Sequence, residues 1–259
     1  MNSTRSIAAL LCVAALAACS KDAAPDITAP AAGASIKFYN FAVGAPVVNF
    51  YANDTLKLTA AASATGTESK TLGTAYGAVG NGGFYSEITP ASYTFQGKMV
   101  ASGADSARLI SSVVAAVADG HNYSMYLSGF YNATTKTAES FLVEDAYPAT
   151  VDYTQAYVRF VNAISNSSPM VLYAKNTTTS VETAVGGAVG YKAAGTFVTL
   201  PPAAYDLNTR TVGSATNAIA RAGVSFVAGH VYTISARGDM TITSTTATNR
   251  PILDNTANR

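Results

Sequence analysis

The stretch IKFYN at residues 36–40 returns as VRFVN at residues 158–162, and this repetition decides how the chain is divided. In both stretches apolar and charged residues alternate, which is the period of a β-strand with one buried face. Two copies of one domain are therefore predicted. Four further motifs recur in the same order: FYA at 50–52 as LYA at 172–174, GAVG at 77–80 and again at 187–190, ITPASY at 88–93 as LPPAAY at 200–205, and GHNYS at 120–124 as GHVYT at 229–233.

The residues between these motifs also have the pattern of short strands. Leu109–Ala118 and its counterpart Ala218–Val227 are rich in Ala and could be helical, but their Val, Ile and Ser favour strands. About seven short strands in about 100 residues predict an antiparallel, immunoglobulin-like β-sandwich in each copy. The other strand candidates of the first copy, separated by Gly, Pro and Asn, are Val47–Ala52, Tyr93–Gly97, Tyr123–Phe130 and Phe141–Val143.

The first 19 residues have the features of a bacterial export signal. Arg5 precedes an apolar run at 7–16 that is too short to span a bilayer, and Ala17 and Ala18 then lead into Cys19. This arrangement resembles the lipobox of bacterial lipoproteins, although an ordinary secretory signal is the alternative. The resemblance implies a diacylglyceryl group on the Cys19 thiol, cleavage before this residue and acylation of the new amino terminus. Several acyl chains on one residue would hold the protein on the membrane effectively permanently.

The whole chain can then be divided into five segments. We expect a lipoprotein signal peptide at 1–18, a flexible tether at 19–34, a first β-sandwich at 35–147, a linker at 148–156 and a second β-sandwich at 157–259. The tether is rich in Ala, Pro and Asp and shows no strand or helix period. Because the residue after the lipidated cysteine is not Asp, we expect the outer membrane of a bacterial cell envelope as the location.

Charge and cysteine content exclude several classes of protein. The chain has 16 basic and 15 acidic residues, and loss of the signal peptide with Arg5 leaves equal numbers, so no nucleic-acid partner is expected. Charged residues make up 12% of the chain, about half of the usual share, so hydroxyl and amide groups must provide solubility. The two cysteines are Cys12 and Cys19. The folded part therefore has no disulfide, and without Trp it cannot be an antibody-type domain.

Taken together, the repeated motifs resemble a known family. The first strand with Lys or Arg, Phe and Asn at 36–40 and 158–162, the Pro-Ala-x-Tyr turns and the Gly-His-x-Tyr strands look like the DUF4397 domain, a bacterial module of unknown function. Transthyretin-like sandwiches have similar turns followed by Tyr. Both copies lack the acidic residue that often follows the first strand in this family, since Val43-Gly44 and Ser165-Asn166 stand there. The resemblance implies a cell-surface or envelope lipoprotein of tandem β-sandwiches and brings no catalytic residues.

The two histidines are the first candidates for catalysis or metal binding. His121 and His230 occupy equivalent positions, each just before a strand. One His in each domain, with no second His or Cys nearby in sequence, does not form a zinc site. We therefore expect each imidazole to bond the backbone of its turn. A hydrolase would instead require one of them to lie beside a carboxylate in a cleft.

The carboxylates could suggest a catalytic or calcium site, and the glycine-rich stretches a phosphate-binding loop, but the spacing of the residues supports none of these. Serine-nucleophile motifs do not occur, and Glu144 and Asp145 should point to opposite faces of a strand, so neither a catalytic nor a metal site is expected and no cofactor is predicted. The stretches 77–83 and 186–190 lack the Gly-Lys-Ser/Thr ending of a phosphate loop, and we expect glycines with positive φ in turns or bulges. Calcium candidates are scattered and are expected to be solvated loop residues: Asn53-Asp54, Asp145, Asp152 and Asp239.

The aromatic residues of the first copy leave two functions open. They are expected at strand ends or loops, where the second copy has Lys192, Ser235, Arg237 and Met240. Packing between strands or domains would leave a structural or adhesive module that contacts an envelope protein or polymer. Clustering on one exposed face would instead indicate a glycan- or small-ligand-binding lipoprotein. The residues concerned are Phe84-Tyr85, Tyr126, Phe130-Tyr131 and Tyr147.

Overall fold

The computed structural model describes residues 33–59, 73–100 and 105–258, and these residues fold into β-strands. Cys19, the signal peptide and nearly all of the predicted tether lie outside the described residues, although β1 already begins at Ala34. No helix in the described part of the chain is long and apolar enough to cross a membrane. The strands of the first repeat are β1 Ala34–Asn40, β2 Val48–Ala52, β3 Leu56–Lys57, β4 Ala78–Val79, β5 Ser86–Ile88, β6 Ala91–Met99, β7 Leu109–Val117, β8 Asn122–Asn132 and β9 Thr137–Glu144.

The second repeat has the same succession of strands. They are β10 Ala156–Asn162, β11 Met170–Asn176, β12 Glu182–Val189, β13 Ala193–Ala194, β14 Val198–Leu200, β15 Ala203–Thr211, β16 Ile219–Phe226, β17 Val231–Arg237 and β18 Ile252–Ala257. The Ala-rich segments of β7 and β16 are strands, as their branched residues predict. Each repeat also contains short strands (β3, β4 and β5 in the first) that sequence periodicity cannot detect because they span only two or three residues.

Each repeat is a sandwich of two sheets. In the first repeat one sheet has the order β4-β1-β8-β9, with β5 also paired to β1, and the other has the order β3-β2-β6-β7. The second repeat has β13-β10-β17-β18, with β14 on β10, and β12-β11-β15-β16. The predicted all-β fold of tandem sandwiches is confirmed. The pairing is antiparallel except between β1 and β8 and between β10 and β17, where the first strand lies parallel to the eighth of its repeat.

The two cores are built from the alternating apolar residues of these strands. In the first repeat Ile36 and Phe38 of β1 point into the sandwich, where the Phe38 ring stacks on Phe50 with 4.9 Å between ring centroids. In the second repeat Val158 and Phe160 of β10 take the corresponding places in a separate core. The alternation in the quoted stretches therefore places one face of each first strand in its own sandwich.

The repeated Pro-Ala-x-Tyr motif has the same role in both repeats. The Tyr93 hydroxyl donates a hydrogen bond to the Thr89 carbonyl at 2.9 Å, and the Tyr205 hydroxyl donates one to the Pro201 carbonyl at 2.7 Å. Each tyrosine thus fixes the turn that brings the chain from β5 into β6, or from β14 into β15. The motif recurs because this bend needs an internal partner for a carbonyl that the sheets leave unpaired.

The GAVG motif is not equivalent in the two repeats, so this match in the sequence was wrong. Residues 77–80 form β4 and a short 3₁₀ segment beside β1, whereas residues 187–190 continue β12, which pairs with β11. The glycines still act as expected. Gly77 has φ +79° in the turn before β4, and Gly186 has φ +74° where the register between β11 and β12 shifts.

The sandwiches pack face to face through the sheets that contain β1 and β10, which we call the inner sheets. The central strands β1, β8, β10 and β17 of these sheets are buried on both faces over most of their length, and the burial of β10 is uninterrupted. Between them lies a cluster in which Tyr126 stacks on Tyr39 and on Phe141, with centroid distances of 4.4 and 4.9 Å. Val161 and Ala163 complete this cluster from the second repeat. The interface is therefore a third apolar core, shared by both repeats.

Candidate functional site

Two cations lie inside the interface at equivalent positions of the repeats. Lys37 pairs in register with Ser124 of the parallel strand β8, and Arg159 pairs with Thr233 of β17. Each cation is 1% exposed. They occupy the positions that alternate with the core residues of β1 and β10, so they point away from their own sandwich and towards the other. A buried charge is unfavourable unless it is paired, so the surroundings of the two cations are informative.

Arg159 has a complete set of partners. Its Nη2 forms an ion pair with the Oδ1 atom of Asp145, a buried carboxylate that directly follows β9 of the first repeat. Its Nη1 donates to the Glu144 carbonyl at 2.9 Å, and its Nε donates to the Thr233 hydroxyl at 3.0 Å. All three guanidinium nitrogens are therefore occupied: Nη1 and Nη2 join the two repeats, and Nε binds within the second repeat. We call this arrangement the Arg159 corner.

The remaining carboxylate oxygen of Asp145 is also occupied. Its Oδ2 accepts hydrogen bonds from the Ser124 hydroxyl at 2.8 Å and from the Tyr85 hydroxyl at 2.5 Å. The Tyr85 hydroxyl is in turn hydrogen-bonded to that of Tyr147. Burial, followed by the nearby charge of Asp145, raises the pKa of both phenols well above the usual range, so they remain neutral donors. Asp145 was expected to be a solvated loop residue, and this expectation was wrong because Arg159 reaches it from the other repeat.

Lys37 meets a different partner at the equivalent place. Glu144 of β9 pairs with Tyr123 of β8, and Ala257 of β18 pairs with Tyr232 of β17. Since Tyr123 and Tyr232 are equivalent, Glu144 corresponds to Ala257. The next residue in each repeat is Asp145 or Asn258, so Asn258 is the counterpart of Asp145. The Lys37 Nζ donates to the Asn258 Oδ1 at 3.3 Å and lies 4.3 Å from the centroid of the Tyr85 ring. An amide and a phenol ring thus surround this ammonium. We call this arrangement the Lys37 corner.

The ammonium of Lys37 is correspondingly less stable in its charged form. Burial lowers the pKa of Lys37 to about 8; the charge of Asp145 opposes this shift, and that of Arg159 adds to it. No Asp or Glu in the described part of the chain forms an ion pair with Lys37, because Asp145 is bound to Arg159. The described part of the interface therefore contains two buried cations and one buried carboxylate, which is paired with Arg159.

A cleft of about 710 Å³ opens beside the Lys37 corner, and we call it the Lys37 cleft. The first repeat provides one wall, made of Lys37 and the segment around β4 and β5, and the second repeat provides the other, made of His230 and the end of β18. None of its lining residues is Asp or Glu, so the cleft has a positive local charge. The lining residues are Lys37, Val79, Gly82, Gly83, Phe84, Tyr85, His230, Asn255, Thr256, Ala257 and Asn258.

The two histidines have different surroundings despite their equivalent positions. His121 Nδ1 lies 2.8 Å from the Oε1 of Glu144, and both side chains are about half exposed. The expected bond from this imidazole to its turn is therefore wrong, because the neighbouring strand β9 presents a carboxylate. The pair meets one requirement of the hydrolase hypothesis but lies on the surface, outside the cavities described here. His230 has Ala257 in place of Glu144 and lines the Lys37 cleft.

In the Gly-His-x-Tyr motif, the histidine backbone and the tyrosine hydroxyl form the same hydrogen bonds in both repeats. The His121 carbonyl accepts from the Ser35 N–H, and the His230 carbonyl accepts from the Tyr157 N–H, each at 2.9 Å. The hydroxyl of the following tyrosine accepts the N–H of the residue before the turn at 3.1 Å in both repeats. These bonds fix the turn that leads into β8 and β17.

The other carboxylate candidates do not converge on a site. Glu139 crosses the interface to Lys192 at 2.5 Å, whereas Asp54 is bound by Gln96 and Lys98. Asp152 and Asp239 accept hydrogen bonds from threonines two residues ahead, in local turns. In residues 33–59, 73–100 and 105–258, no three His, Cys, Asp or Glu side chains are grouped so that they could hold a metal ion.

The aromatic residues of the first repeat divide between the interface and the surface. Tyr126 is fully buried and bonds Ser235, its own counterpart, at 3.3 Å, and Tyr85 and Tyr147 belong to the Arg159 corner. Tyr131 packs on the core of the first repeat, while Phe84 and Phe130 are 76% and 44% exposed. The second-repeat residues Lys192, Ser235 and Arg237 bind or contact the first repeat. Three of the six aromatic residues therefore serve packing between domains, namely Tyr85, Tyr126 and Tyr147.

The residues that distinguish the two corners are not evident from the sequence. Strand alternation predicts Lys37 and Arg159 on the polar face of their strands, and no motif includes Asn258. One signal was present: a cation at the centre of an otherwise apolar strand recurs at the same place in both copies. Asn258 could not be found in this way, because its equivalence to Asp145 depends on the register of β9 and β18.

Comparison with known proteins gives no family for the chain. No protein-family model matches it, and no curated protein matches it either. Among solved structures, a candidate cell adhesion protein from Bacteroides fragilis is similar over 85% of this chain and 86% of its own, with 8% sequence identity and a TM-score of 0.23. A likeness of this size carries no argument about function.

Proposed function

We propose that this protein is a non-catalytic, lipid-anchored protein of the bacterial cell envelope that presents a rigid pair of β-sandwiches for contact with another envelope protein or polymer. The resemblance of its repeats to DUF4397 and of its first 19 residues to a lipobox support the location. The observation that carries the proposal is the interface between the repeats, in which each inner sheet buries its second face against the other.

Rigidity follows from the kind of contacts in this interface. Stacked rings fill its centre, and the Arg159 corner fixes the two repeats at one edge with directed hydrogen bonds. Separate domains on a flexible linker would not bury a charge pair, because each buried ion needs a partner held in place. The outer sheets then remain as the surfaces on which a partner could bind, and Val114 of β7 is 71% exposed there.

One observation favours the second candidate, a glycan- or small-ligand-binding lipoprotein. Phe84 is exposed beside a cleft that also contains Lys37 and His230. A single exposed ring at a cleft differs from the aromatic face expected for this function, because Tyr126, Tyr85 and Tyr147 are engaged in the interface. A ligand site in this protein would therefore be centred on the cleft.

The anchor is tested by membrane fractionation of cells that express the full chain. Wild-type protein should sediment with membranes and resist a high-salt wash, and Cys19→Ala should appear in the soluble fraction. Cys12→Ala is the matched control and should behave like the wild type, because this residue lies in the segment that is removed. A Cys19→Ala protein that still resists the wash would refute the lipid anchor.

The rigid pair is tested by thermal unfolding of the full chain in detergent. We expect one cooperative transition, since the repeats share an apolar core and a buried ion pair. Two transitions separated by more than a few degrees would contradict a rigid pair. A panel of envelope polymers can be added to the same assay, because a ligand at 100 times its Kd adds about 2.7 kcal/mol and shifts Tm by several degrees.

A further inference from the structure

The Lys37 cleft contains a buried positive charge that no Asp or Glu among residues 33–59, 73–100 and 105–258 neutralises through an ion pair. Lys37 is 1% exposed, and its direct partners are the Asn258 amide oxygen and the Tyr85 ring, both uncharged. The carboxylate nearest in the interface, that of Asp145, is used by Arg159, Ser124 and Tyr85. One anionic group in the cleft would complete the ion pair that the other corner already has.

The charge and shape of the cleft indicate a monovalent carboxylate. A phosphate group carries nearly two charges and is typically held by several donors or by an arginine fork. Here the Arg159 guanidinium is fully used, and Lys37 provides one point charge. His230 adds an imidazole from the second repeat, whereas the Asn258 amide already bonds Lys37 through its oxygen and the Thr233 hydroxyl through its nitrogen. This set matches one carboxylate and a few neighbouring hydroxyl groups.

A ring surface lies beside this charge. Phe84 is 76% exposed and lines the same cleft as Lys37. Its backbone follows the 3₁₀ segment Gly80–Gly83, in which Asn81 and Gly82 have positive φ, and this bend turns the chain out at Phe84. An exposed aromatic ring next to polar groups is a typical platform for one face of a sugar ring.

From these features we infer that the Lys37 cleft binds an acidic sugar, a hexuronate unit, with its carboxylate on Lys37 and its ring against Phe84. The site lies between the repeats and does not depend on the lipid anchor or on a protein partner. It requires both repeats, because the second repeat provides Asn258 and His230.

Binding should depend on pH because it uses the charged form of Lys37. Burial lowers the pKa of this ammonium to about 8, so affinity should fall as the pH is raised from 7 to 9. Among the described residues, Asp145, Arg159 and Tyr85 are the charged and titratable groups near Lys37, and His230 lines the same cleft. Arg159 and Asp145 neutralise each other, and Tyr85 stays neutral in this range because its pKa is raised.

The test is isothermal titration calorimetry of the full chain in detergent, with glucuronate as the probe. We expect a Kd on the order of 1 mM for this small ligand, and binding at least about tenfold weaker for glucose, which has the same ring without the carboxylate. Acetate, which has the carboxylate without the ring, should also bind at least about tenfold more weakly.

Asn258→Asp is the decisive variant, because it gives Lys37 the carboxylate that Arg159 already has. It should lower the affinity for glucuronate at least about tenfold while the protein stays folded, which its thermal transition verifies. Asn217→Asp adds the same charge at an exposed position of the second repeat and should bind as the wild type does. Lys37→Met should also abolish binding.

Three results would overturn the proposal. Equal affinities for glucuronate and acetate would show an anion site without a sugar, and equal affinities for glucuronate and glucose would remove the role of Lys37. Failure of glucuronate to bind at about 20 mM would reject the ligand class. None of these results bears on whether Cys19 carries a lipid or whether the repeats unfold together.

Discussion

Arg159 and Lys37 lie at equivalent positions of β10 and β1, and each crosses the interface to the residue that follows the last strand of the other repeat. At one corner that residue is Asp145, and at the other it is Asn258. Even the aromatic neighbours correspond, since Arg159 lies 4.9 Å from the Phe197 ring centroid and Lys37 lies 4.3 Å from that of Tyr85. The corners thus share their geometry and differ in their charge.

Because of this difference, the Arg159 corner has a structural role and the Lys37 corner has a charge that is available to a ligand. An arginine with three directed partners and a buried carboxylate is a closed arrangement, in which every charged group is compensated. Lys37 lies beside an amide and forms no ion pair with an Asp or Glu in the described part of the chain, and the cleft next to it is open. Duplication of one domain therefore provides two copies of the same corner, of which one holds the repeats together and the other can bind an anion.

The largest effect is expected from Asp145→Asn, which makes the Arg159 corner resemble the Lys37 corner. The guanidinium would remain buried without a carboxylate, and removing one partner of a buried ion pair costs about 3–5 kcal/mol. Thermal unfolding should show Tm lowered by about 10 °C. Asp54→Asn, at a carboxylate that is 84% exposed, is the control and should shift Tm by less than about 2 °C. A Tm of Asp145→Asn within that range would show that the corner does not stabilise the interface.

A smaller loss of stability is expected from Arg159→Lys, which keeps the positive charge and removes the forked guanidinium donors. The ammonium can still reach Asp145 but cannot also bond the Thr233 hydroxyl and the Glu144 carbonyl. Two lost hydrogen bonds should lower the free energy of unfolding by about 2 kcal/mol, measured by urea denaturation. Arg108→Lys, at an ion pair with about half of the arginine exposed, should leave the curve unchanged. An equal change in both variants would mean that the fork of Arg159 has no special role.

The comparison of the corners also shows how far the sequence could lead. The tandem sandwiches could be predicted because motifs such as IKFYN and VRFVN recur at matching places and alternate with the period of a strand. The GAVG match misled because a four-residue motif of small residues fits either a turn or a strand. The burial of Asp145 could not be predicted, because its sequence neighbours do not indicate that a cation of the other repeat binds it.

Stability at different pH values can separate the corners further through Lys37→Met. At pH 7 both folded and unfolded wild-type chains carry the charge, and replacing a buried cation without a carboxylate by an apolar residue should stabilise the protein by about 1 kcal/mol. Folded Lys37 releases its proton near pH 8, whereas the unfolded residue keeps it up to about 10.5, so wild-type stability rises with pH above 8. The advantage of the variant should therefore shrink as the pH rises from 7 and be lost by about pH 9.5. A difference that stays constant would show that the folded ammonium does not titrate there.

The smallest effect is expected at His121 and His230, which extend the comparison of the repeats to the surface. His121 forms an exposed pair with Glu144, whereas His230 faces Ala257 at the equivalent place. Exposed ion pairs contribute little because water and salt screen them and their side chains lose entropy. His121→Ala and His230→Ala should therefore lower the free energy of unfolding by amounts that agree within about 0.5 kcal/mol. A loss several times larger for His121→Ala would show that the surface pair, and not only the buried Arg159 corner, distinguishes the stability of the two repeats.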